Sequence, residues 1–184
     1  MLNLLRNCCA VLFIAFAAAA VAEESSTRTY QLPDQGALQL TVPKSWHEEI
    51  KQPPGGVPPT ITFTPASGAA FNIQITPMYP PRPGVPMPDL KWLRGNVERA
   101  AADAAPQAVE KNIAINELHG PSANGYYFSA TDKAPAPGEY KYMTQAELRV
   151  GDVAPVVTVL TNDASGQVLA DALAVLKSAV HLKR

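Results

Sequence analysis

An apolar run near the N-terminus determines the compartment in which the rest of this chain must fold. Residues 8–22 form an unbroken apolar run of 15 residues, which follows a short segment with one positive charge, Arg6. A membrane-spanning helix needs roughly 20 apolar residues. The run ends in Ala20-Val21-Ala22, which satisfies the small-x-small rule for signal-peptide cleavage. We therefore predict that 1–22 is a cleavable signal peptide rather than a membrane anchor, and that the mature chain, 23–184, is periplasmic or secreted.

Both cysteines of the chain lie inside this predicted signal peptide. A lipidated cysteine would follow the apolar run, whereas Cys8 and Cys9 stand at its start, which argues against a lipoprotein. The mature chain therefore has no cysteine. This excludes a disulfide-stabilised fold, a catalytic thiol and a zinc site built on cysteine ligands.

The size and charge of the mature chain suit one domain with its own core. It has 162 residues (184 minus 22), and chains of this length bury a substantial core. Its 14 Lys and Arg (15 minus Arg6) and 16 Asp and Glu give a formal charge of −2. A nucleic-acid binder would normally carry a basic stripe, so we predict no nucleic-acid partner. We also predict no membrane span after signal cleavage, and the oligomeric state stays open.

Alternation of apolar and polar residues predicts that most of the mature chain forms short strands. The clearest hairpin pairs 60–64 with 70–76 across the turn Pro65-Ala66-Ser67-Gly68. Asn124-Gly125 and Gly151-Asp152 have the composition of tight turns, and Pro155 indicates an edge position or a bulge. The predicted strands are 38–42, 46–50, 60–64, 70–76, 113–115, 126–131, 140–150 and 153–161.

Two segments have helical periodicity. Asp89 is a good N-cap for a helix that Pro106 ends, and Asn162 or Asp163 caps a second, C-terminal helix. The order of strands, helix, strands, helix predicts an α+β fold, in which helices cover an antiparallel sheet. The two apolar stripes are Leu90, Leu93, Val97, Ala100 or Ala101 and Ala104, and Val168, Leu169, Ala172, Leu173, Leu176 and Val180.

Three features together resemble a known fold. An apolar strand runs from Leu38 into Pro43-Lys-Ser-Trp46, the hairpin through Thr62–Ile75 follows, and an amphipathic helix closes the chain. This order resembles the PsbP-like fold (the Mog/PsbP-like family), which photosystem extrinsic subunits, bacterial envelope proteins and a Ran-binding import factor share. The resemblance implies an α/β/α sandwich around an antiparallel sheet and an accessory or binding role, with no functional residue carried over.

No catalytic, metal or nucleotide motif stands out, so we predict no catalytic, cofactor or metal residue. The histidines, His47, His119 and His181, are far apart in sequence, unlike the clustered histidines of common metal motifs. Glu48 and Glu49 are adjacent on a predicted strand, so they point to opposite faces and suit a solvated pair better than an acid/base pair. Ser67 lacks any nucleophile motif and is typical of a turn.

The proline-rich segment 77–88 is the best functional candidate. It has six prolines in 12 residues, and a stiff extended loop loses little entropy when it binds. We predict a partner-binding loop that presents Tyr79, Arg82 and Met87, although the same composition is typical of a stiff connection. The strand tyrosines, Tyr126, Tyr140 and Tyr142, favour a half-buried sheet face over a binding surface.

Three functional hypotheses follow. The first is an exported, non-catalytic binding or accessory protein with a partner in the cell envelope. The second is a hydrolase whose site is assembled from distant residues, which needs a concave pocket with a perturbed carboxylate or histidine. The third is a small-ligand carrier with a pocket between sheet and helix, lined by the tyrosines.

Overall fold

The structure, a computed structural model, describes residues 24–80 and 85–183. The predicted signal peptide and Arg82 lie outside the described residues. The helices are α1 (Leu90–Ala104), which a 3₁₀ turn follows at Ala105–Gln107, and α2 (Gln167–Lys177). The strands are β1 (Ser25–Leu32), β2 (Gly36–Pro43), β3 (Trp46–Lys51), β4 (Thr60–Pro65), β5 (Phe71–Met78), β6 (Asn116–His119), β7 (Ala123–Thr131), β8 (Tyr142–Val150), β9 (Ala154–Thr161) and β10 (Val180–Leu182).

The strands form two antiparallel sheets. The smaller has the order β1-β2-β10, and the larger has the order β3-β4-β5-β9-β8-β7-β6. The predicted α+β architecture, one sheet between helices in an α/β/α sandwich, is therefore wrong, because the fold is β-rich and a second sheet lies where a helix layer was expected. The physical reason is that the ends of the described chain pair as strands: β1 and β10 both pair with β2.

One face of the large sheet, here called the inner face, packs against the small sheet and α2. Apolar residues from both sheets and from α2 form a single buried cluster. At its centre the ring of Trp46 lies 5.7 Å from that of Phe63 and 5.0 Å from that of Phe71, measured between centroids. Tyr30 of the small sheet meets Phe63 edge to face at 6.4 Å. Aromatic contacts of this kind add to the free energy gained from area burial, and the one between Tyr30 and Phe63 joins the two sheets.

The opposite, outer face of the large sheet is covered by α1, but only over β7 and β8. Leu93, Val97 and Ala101 are the buried residues of the helix, and Val97 and Ala101 share a second, smaller core cluster with Phe128 of β7. The carboxylate of Asp89 accepts a hydrogen bond from the backbone N–H of Trp92 at 2.7 Å, which confirms the predicted N-cap. The start and end predicted for α1 are thus correct.

Local predictions fared differently from one element to another. The 60–76 hairpin and the turn at Gly151-Asp152 are confirmed. The turn predicted at Asn124-Gly125 is wrong, because both residues lie inside β7. Gly125 is needed there because a Cβ atom would overlap the carbonyl oxygen of Glu147 and would lie 2.7 Å from the Cα of Leu148.

Four further predictions need correction. Pro155 lies in β9, which has β5 on one side and β8 on the other, so the predicted edge position is wrong. Its pairing partner in β5 is another proline, Pro77. The residues 113–115 precede β6 rather than form a strand, and Val180 belongs to β10 rather than to the last helix. The helix α2 begins after Gly166, although Asp163 still accepts a hydrogen bond from its Val168 N–H at 2.9 Å.

Candidate binding groove beside the first helix

The outer face of β9 is left open where α1 stops covering the sheet. Outward-pointing residues of β9 are Val156, Thr158 and Leu160, and Val156 is 41% exposed. On β8 their neighbours across the ladder are Glu147, Gln145 and Met143, so the strip has three rows: Glu147–Val156, Gln145–Thr158 and Met143–Leu160. This strip and the flank of α1 form a trough that we call the α1 groove. It contains three depressions: one over the Glu147–Val156 row, a small one between that row and the Gln145–Thr158 row, and one over the Met143–Leu160 row.

The first depression lies over the Glu147–Val156 row, near the N-terminus of α1, and has a volume of about 360 Å³. Residues 78–80 and 85–88, at the end of β5 and in the described part of the proline-rich segment, form one wall, and Trp92, Leu93 and Asn96 of α1 form the other. Among the described residues that line it, Glu147 is the one that carries a charge. The residues contributed by β5 and the proline-rich segment are Met78, Tyr79, Pro80, Val85, Pro86, Met87 and Pro88.

Glu147 is a half-buried carboxylate with few donors around it. The Asn96 side-chain amide donates a hydrogen bond to its Oε2 at 3.1 Å. Burial raises the pKa of Glu147 above its usual value, and this outweighs the hydrogen bond from Asn96 and the positive charge of Arg99, which both lower the pKa. Arg99 in turn donates to Asn96 Oδ1, which orients the amide. A cation or N–H donor that enters the pocket would therefore relieve an unfavourably buried charge.

The second and third depressions continue along the helix. The small middle one, about 90 Å³, lies over Gln145 and Thr158 beside Val97 and Ala100. The far one, about 470 Å³, lies over the Met143–Leu160 row next to Ala104. Its floor is mainly apolar, while the carboxylates of Asp132 and Glu139 and the amine of Lys141 stand among its lining residues. The other lining residues are Gln107, Ala108, Ala130, Thr131, Gly138 and Tyr140.

The structure places two of the three predicted loop residues at this site. Tyr79 and Met87 both line the first depression. The Tyr79 hydroxyl also donates to the carbonyl oxygen of Gly56 at 3.0 Å, which ties the loop to the neighbouring proline-rich turn. Arg82 lies outside the described residues.

Sequence reasoning missed Trp92 and Glu147. Trp92 has a detectable signal, because it is a large aromatic residue on the polar side of an amphipathic helix, and the structure leaves it 53% exposed. Glu147 has no such signal, because its neighbours come from α1 and β9, and only the fold brings them together.

The histidines do not assemble into a site. His47 and His119 are exposed on β3 and β6, the two opposite edge strands of the large sheet. The His119 ring is hydrogen-bonded to Asn124 and Glu117, and these contacts raise its pKa. His181 lies on β10, where its Nδ1 accepts from the Asp152 N–H at 3.2 Å and its Nε2 donates to the Gln35 carbonyl at 2.7 Å.

The Glu48 side chain is partly buried and hydrogen-bonded, whereas the sequence predicted a solvated side chain. Its Oε2 accepts hydrogen bonds from Arg28 Nη1 and from the Tyr30 hydroxyl, each at 2.8 Å. Burial works against its charge, but these two donors outweigh that effect and lower the pKa of Glu48. Because Arg28 and Tyr30 belong to β1 and Glu48 to β3, the cluster links the two sheets. Ser67 lies in the 65–71 turn, as predicted.

Comparison with protein-family models, with curated proteins and with solved structures found no match for this chain. In the ranges 24–80 and 85–183, no helix is both long enough and apolar enough to cross a bilayer. Within the same ranges, no three His, Cys, Asp or Glu side chains come together in an arrangement that could hold a metal ion.

Proposed function

We propose that this protein is an exported, non-catalytic binding or accessory protein of the cell envelope, which holds a partner in the α1 groove. One observation supports the proposal above all. Nine large hydrophobic residues are exposed among the described residues, and four of them, Met78, Val85, Trp92 and Val156, line the first depression. Scattered exposed apolar residues are normal, whereas a cluster of them in a concavity is typical of an interaction site.

The distribution of chemical groups favours binding over catalysis. The three histidines lie on separate strands, two of them on opposite sheet edges. The half-buried carboxylate of Glu147 has Asn96, Arg99 and apolar side chains around it, and no serine, threonine, cysteine, lysine or histidine stands among the described residues that line the depression. This carboxylate therefore suits recognition of a ligand better than activation of a protein nucleophile.

The test is crosslinking in living cells of the tagged full-length chain, followed by mass spectrometry of the captured proteins. We expect a reproducible envelope partner with the wild type and its loss in a Trp92→Ser/Val156→Ser double variant. The matched control is Ile50→Ser/Leu182→Ser, which removes similarly exposed apolar residues remote from the groove. Equal capture by both double variants would contradict a role for the groove.

The export step has its own measurement. We expect the intact mass of the exported protein to correspond to a chain that begins at Glu23, in the periplasmic or secreted fraction. A chain that keeps residues 1–22 and sediments with membranes would show that this segment is a membrane anchor rather than a cleaved signal peptide.

A small-ligand carrier is the second candidate, because the two larger depressions have volumes of about 360 and 470 Å³. Pockets for small molecules commonly span about 300–1,000 Å³. Native mass spectrometry of protein purified from its source compartment tests this directly. A retained small molecule that the Trp92→Ser/Val156→Ser variant loses would favour the carrier over the protein-binding function.

A further inference from the structure

We infer that the occupant of the α1 groove is an extended segment of the partner protein, with a basic side chain at one position and a large apolar side chain four residues further on. This inference rests on the proposed function and specifies its partner. The basic side chain enters the first depression, beside Glu147, and the apolar one enters the far depression, over Met143 and Leu160. The residue midway between them is small.

The spacing of the rows matches that of alternate side chains on an extended segment. The Glu147–Val156 and Met143–Leu160 rows are four residues apart along their strands, which corresponds to about 13 Å at the rise of a strand. An extended segment that runs along β9 has the same rise, and its residues i, i+2 and i+4 point to the same side. A helix advances only about 6 Å over four residues and needs about nine residues to cover the same distance, so a four-residue spacing between the two side chains is specific to an extended segment.

Charge complementarity selects the basic residue. The charged residues that line the three depressions, within the described part of the chain, are Asp132, Glu139, Glu147 and Lys141, so carboxylates outnumber amines three to one. A lysine or arginine has an apolar stem that can pack on Met87 and Trp92 while its head reaches Glu147. An acidic or purely apolar side chain would desolvate the half-buried carboxylate further without adding a cationic partner to the charge of Arg99.

The middle row selects the small residue. The depression over Gln145 and Thr158 holds only about 90 Å³, much less than either neighbour. A large side chain at the i+2 position would lift the segment off the floor and weaken the contacts at both ends. A serine, alanine or glycine there lets the backbone approach the amide of Gln145 and the hydroxyl of Thr158, both of which can hydrogen-bond to peptide groups.

The test uses purified mature protein and short fluorescein-labelled peptides of Ser and Thr that contain one Lys and one Phe. In the main peptide Phe stands four residues after Lys, and in the control peptide it stands three residues after Lys, so that the two side chains point to opposite sides. We expect saturable binding of the main peptide by fluorescence anisotropy, with weaker binding of the control. Trp92 emission should shift on binding, because its exposed ring lines the first depression.

Two variants test the two ends of the bound peptide separately. Glu147→Gln should weaken binding of the main peptide about fivefold and leave a peptide with Gln in place of Lys unaffected, since only the charge pair is lost. Ala104→Leu fills the far depression and should weaken the main peptide about tenfold, but not a peptide with Ala in place of Phe. Ala102→Leu, an exposed position on the same helix, is the control. Circular dichroism checks that each variant is folded.

Three results would overturn the inference: no binding of the main peptide, equal binding of the peptide with three-residue spacing, or an unchanged affinity in both groove variants. Binding of hexylamine as tight as that of the peptide would instead assign the first depression to a small cation. The proposed function fails separately. If the Glu147→Gln/Ala104→Leu variant captures the same partner in cells as the wild type, the proposed function stands and this occupant is rejected. If the peptide binds specifically in the groove but no partner is captured in cells, the occupant stands and the proposed function is rejected.

Discussion

The two faces of the large sheet differ in how completely they are covered. The inner face is closed by the small sheet and α2, and its side chains are buried. The outer face is covered by α1 over β7 and β8 and stays open over β9. The contrast is visible between neighbours on one strand, since Val157 is 1% exposed on the inner face and Val156 is 41% exposed on the outer face.

Alternate residues of the same strands therefore contribute to different properties of the protein. Side chains that point inward contribute to the free energy of folding through burial, whereas side chains that point outward near α1 form a groove that costs little stability to change. Because a strand directs successive side chains to opposite faces, the two sets can vary almost independently. We therefore expect inner-face substitutions to lower stability and groove substitutions to lower binding.

The two tryptophans test this separation most strongly. Trp46 is 6% exposed within the aromatic cluster, and Trp92 is 53% exposed at the groove. Trp46→Ala should lower the free energy of unfolding by about 3–5 kcal/mol, because it removes a large buried ring and leaves a cavity. Trp92→Ala should change it by less than about 0.5 kcal/mol. Urea denaturation of both variants measures the difference, and comparable losses would remove the distinction between the faces.

Alanine substitutions at two glycines should change the stability of the fold in opposite directions. Gly125→Ala in β7 should destabilise the fold by about 1–3 kcal/mol, because the new methyl group would overlap the backbone of β8. Gly95→Ala in α1 should stabilise it by up to about 1 kcal/mol, because a Cβ there meets nothing within 4 Å and alanine favours the helix. Thermal unfolding of the two variants should therefore bracket the wild type. A stable Gly125→Ala protein would mean that β7 and β8 are further apart than the structure shows.

The hydrogen bond between Tyr30 and Glu48, which links the two sheets, should make an intermediate and pH-dependent contribution to stability. Tyr30→Phe removes the hydrogen bond to Glu48 and should cost about 1 kcal/mol. Burial, together with the nearby Glu48, raises the pKa of Tyr30. A raised folded-state pKa means that its contribution is complete below about pH 10, the ordinary tyrosine value, and is lost as the pH rises above it. Denaturation curves between neutral and strongly alkaline pH should show this loss in the wild type and less of it in the variant.

A smaller effect on stability, of the opposite sign, is expected at the groove carboxylate. Burial raises the pKa of Glu147, so its ionised form is less favourable in the folded than in the unfolded state. The stability that this group contributes is therefore complete below about pH 4.3 and is lost as the pH rises through its folded-state pKa. Glu147→Gln should leave the free energy of unfolding unchanged at acid pH and raise it by less than about 1 kcal/mol at neutral pH.

Denaturation of the Glu147 variant and the wild type across this pH range measures the difference. A stability loss at neutral pH would show that Glu147 holds α1 to the sheet instead of serving the groove.

The parts of the fold that were predictable are those that local chemistry determines. Asp89 begins α1 because its carboxylate satisfies a free N–H in the first turn, whatever the rest of the chain does. The hairpin between β4 and β5 follows from alternation and a turn sequence. β1 was not predicted, because Ser25–Leu32 is mostly polar and becomes a strand only through its pairing with β2.

The candidate site was only partly predictable for the same reason. The high proline content pointed to the segment 77–88 as a stiff binding loop, and Tyr79 and Met87 do line the first depression. The rows of the floor depend on the register between β8 and β9, and the wall depends on where α1 lies across them. A shift of one residue in that register would turn one strand over relative to the other, so that Glu147 and Val156 would point to opposite faces of the sheet.

By itself the sequence determined the alternation of the strands, the capped first helix, the absence of cysteine after residue 22 and the proline-rich segment. These are properties of neighbouring residues, and they follow from backbone preferences and side-chain spacing. Only the tertiary structure decided that a second sheet closes the inner face and that α1 leaves β9 open. Those features arise from pairings between distant segments, such as β10 with β2, whose free energy depends on the burial of the whole chain rather than on any local pattern.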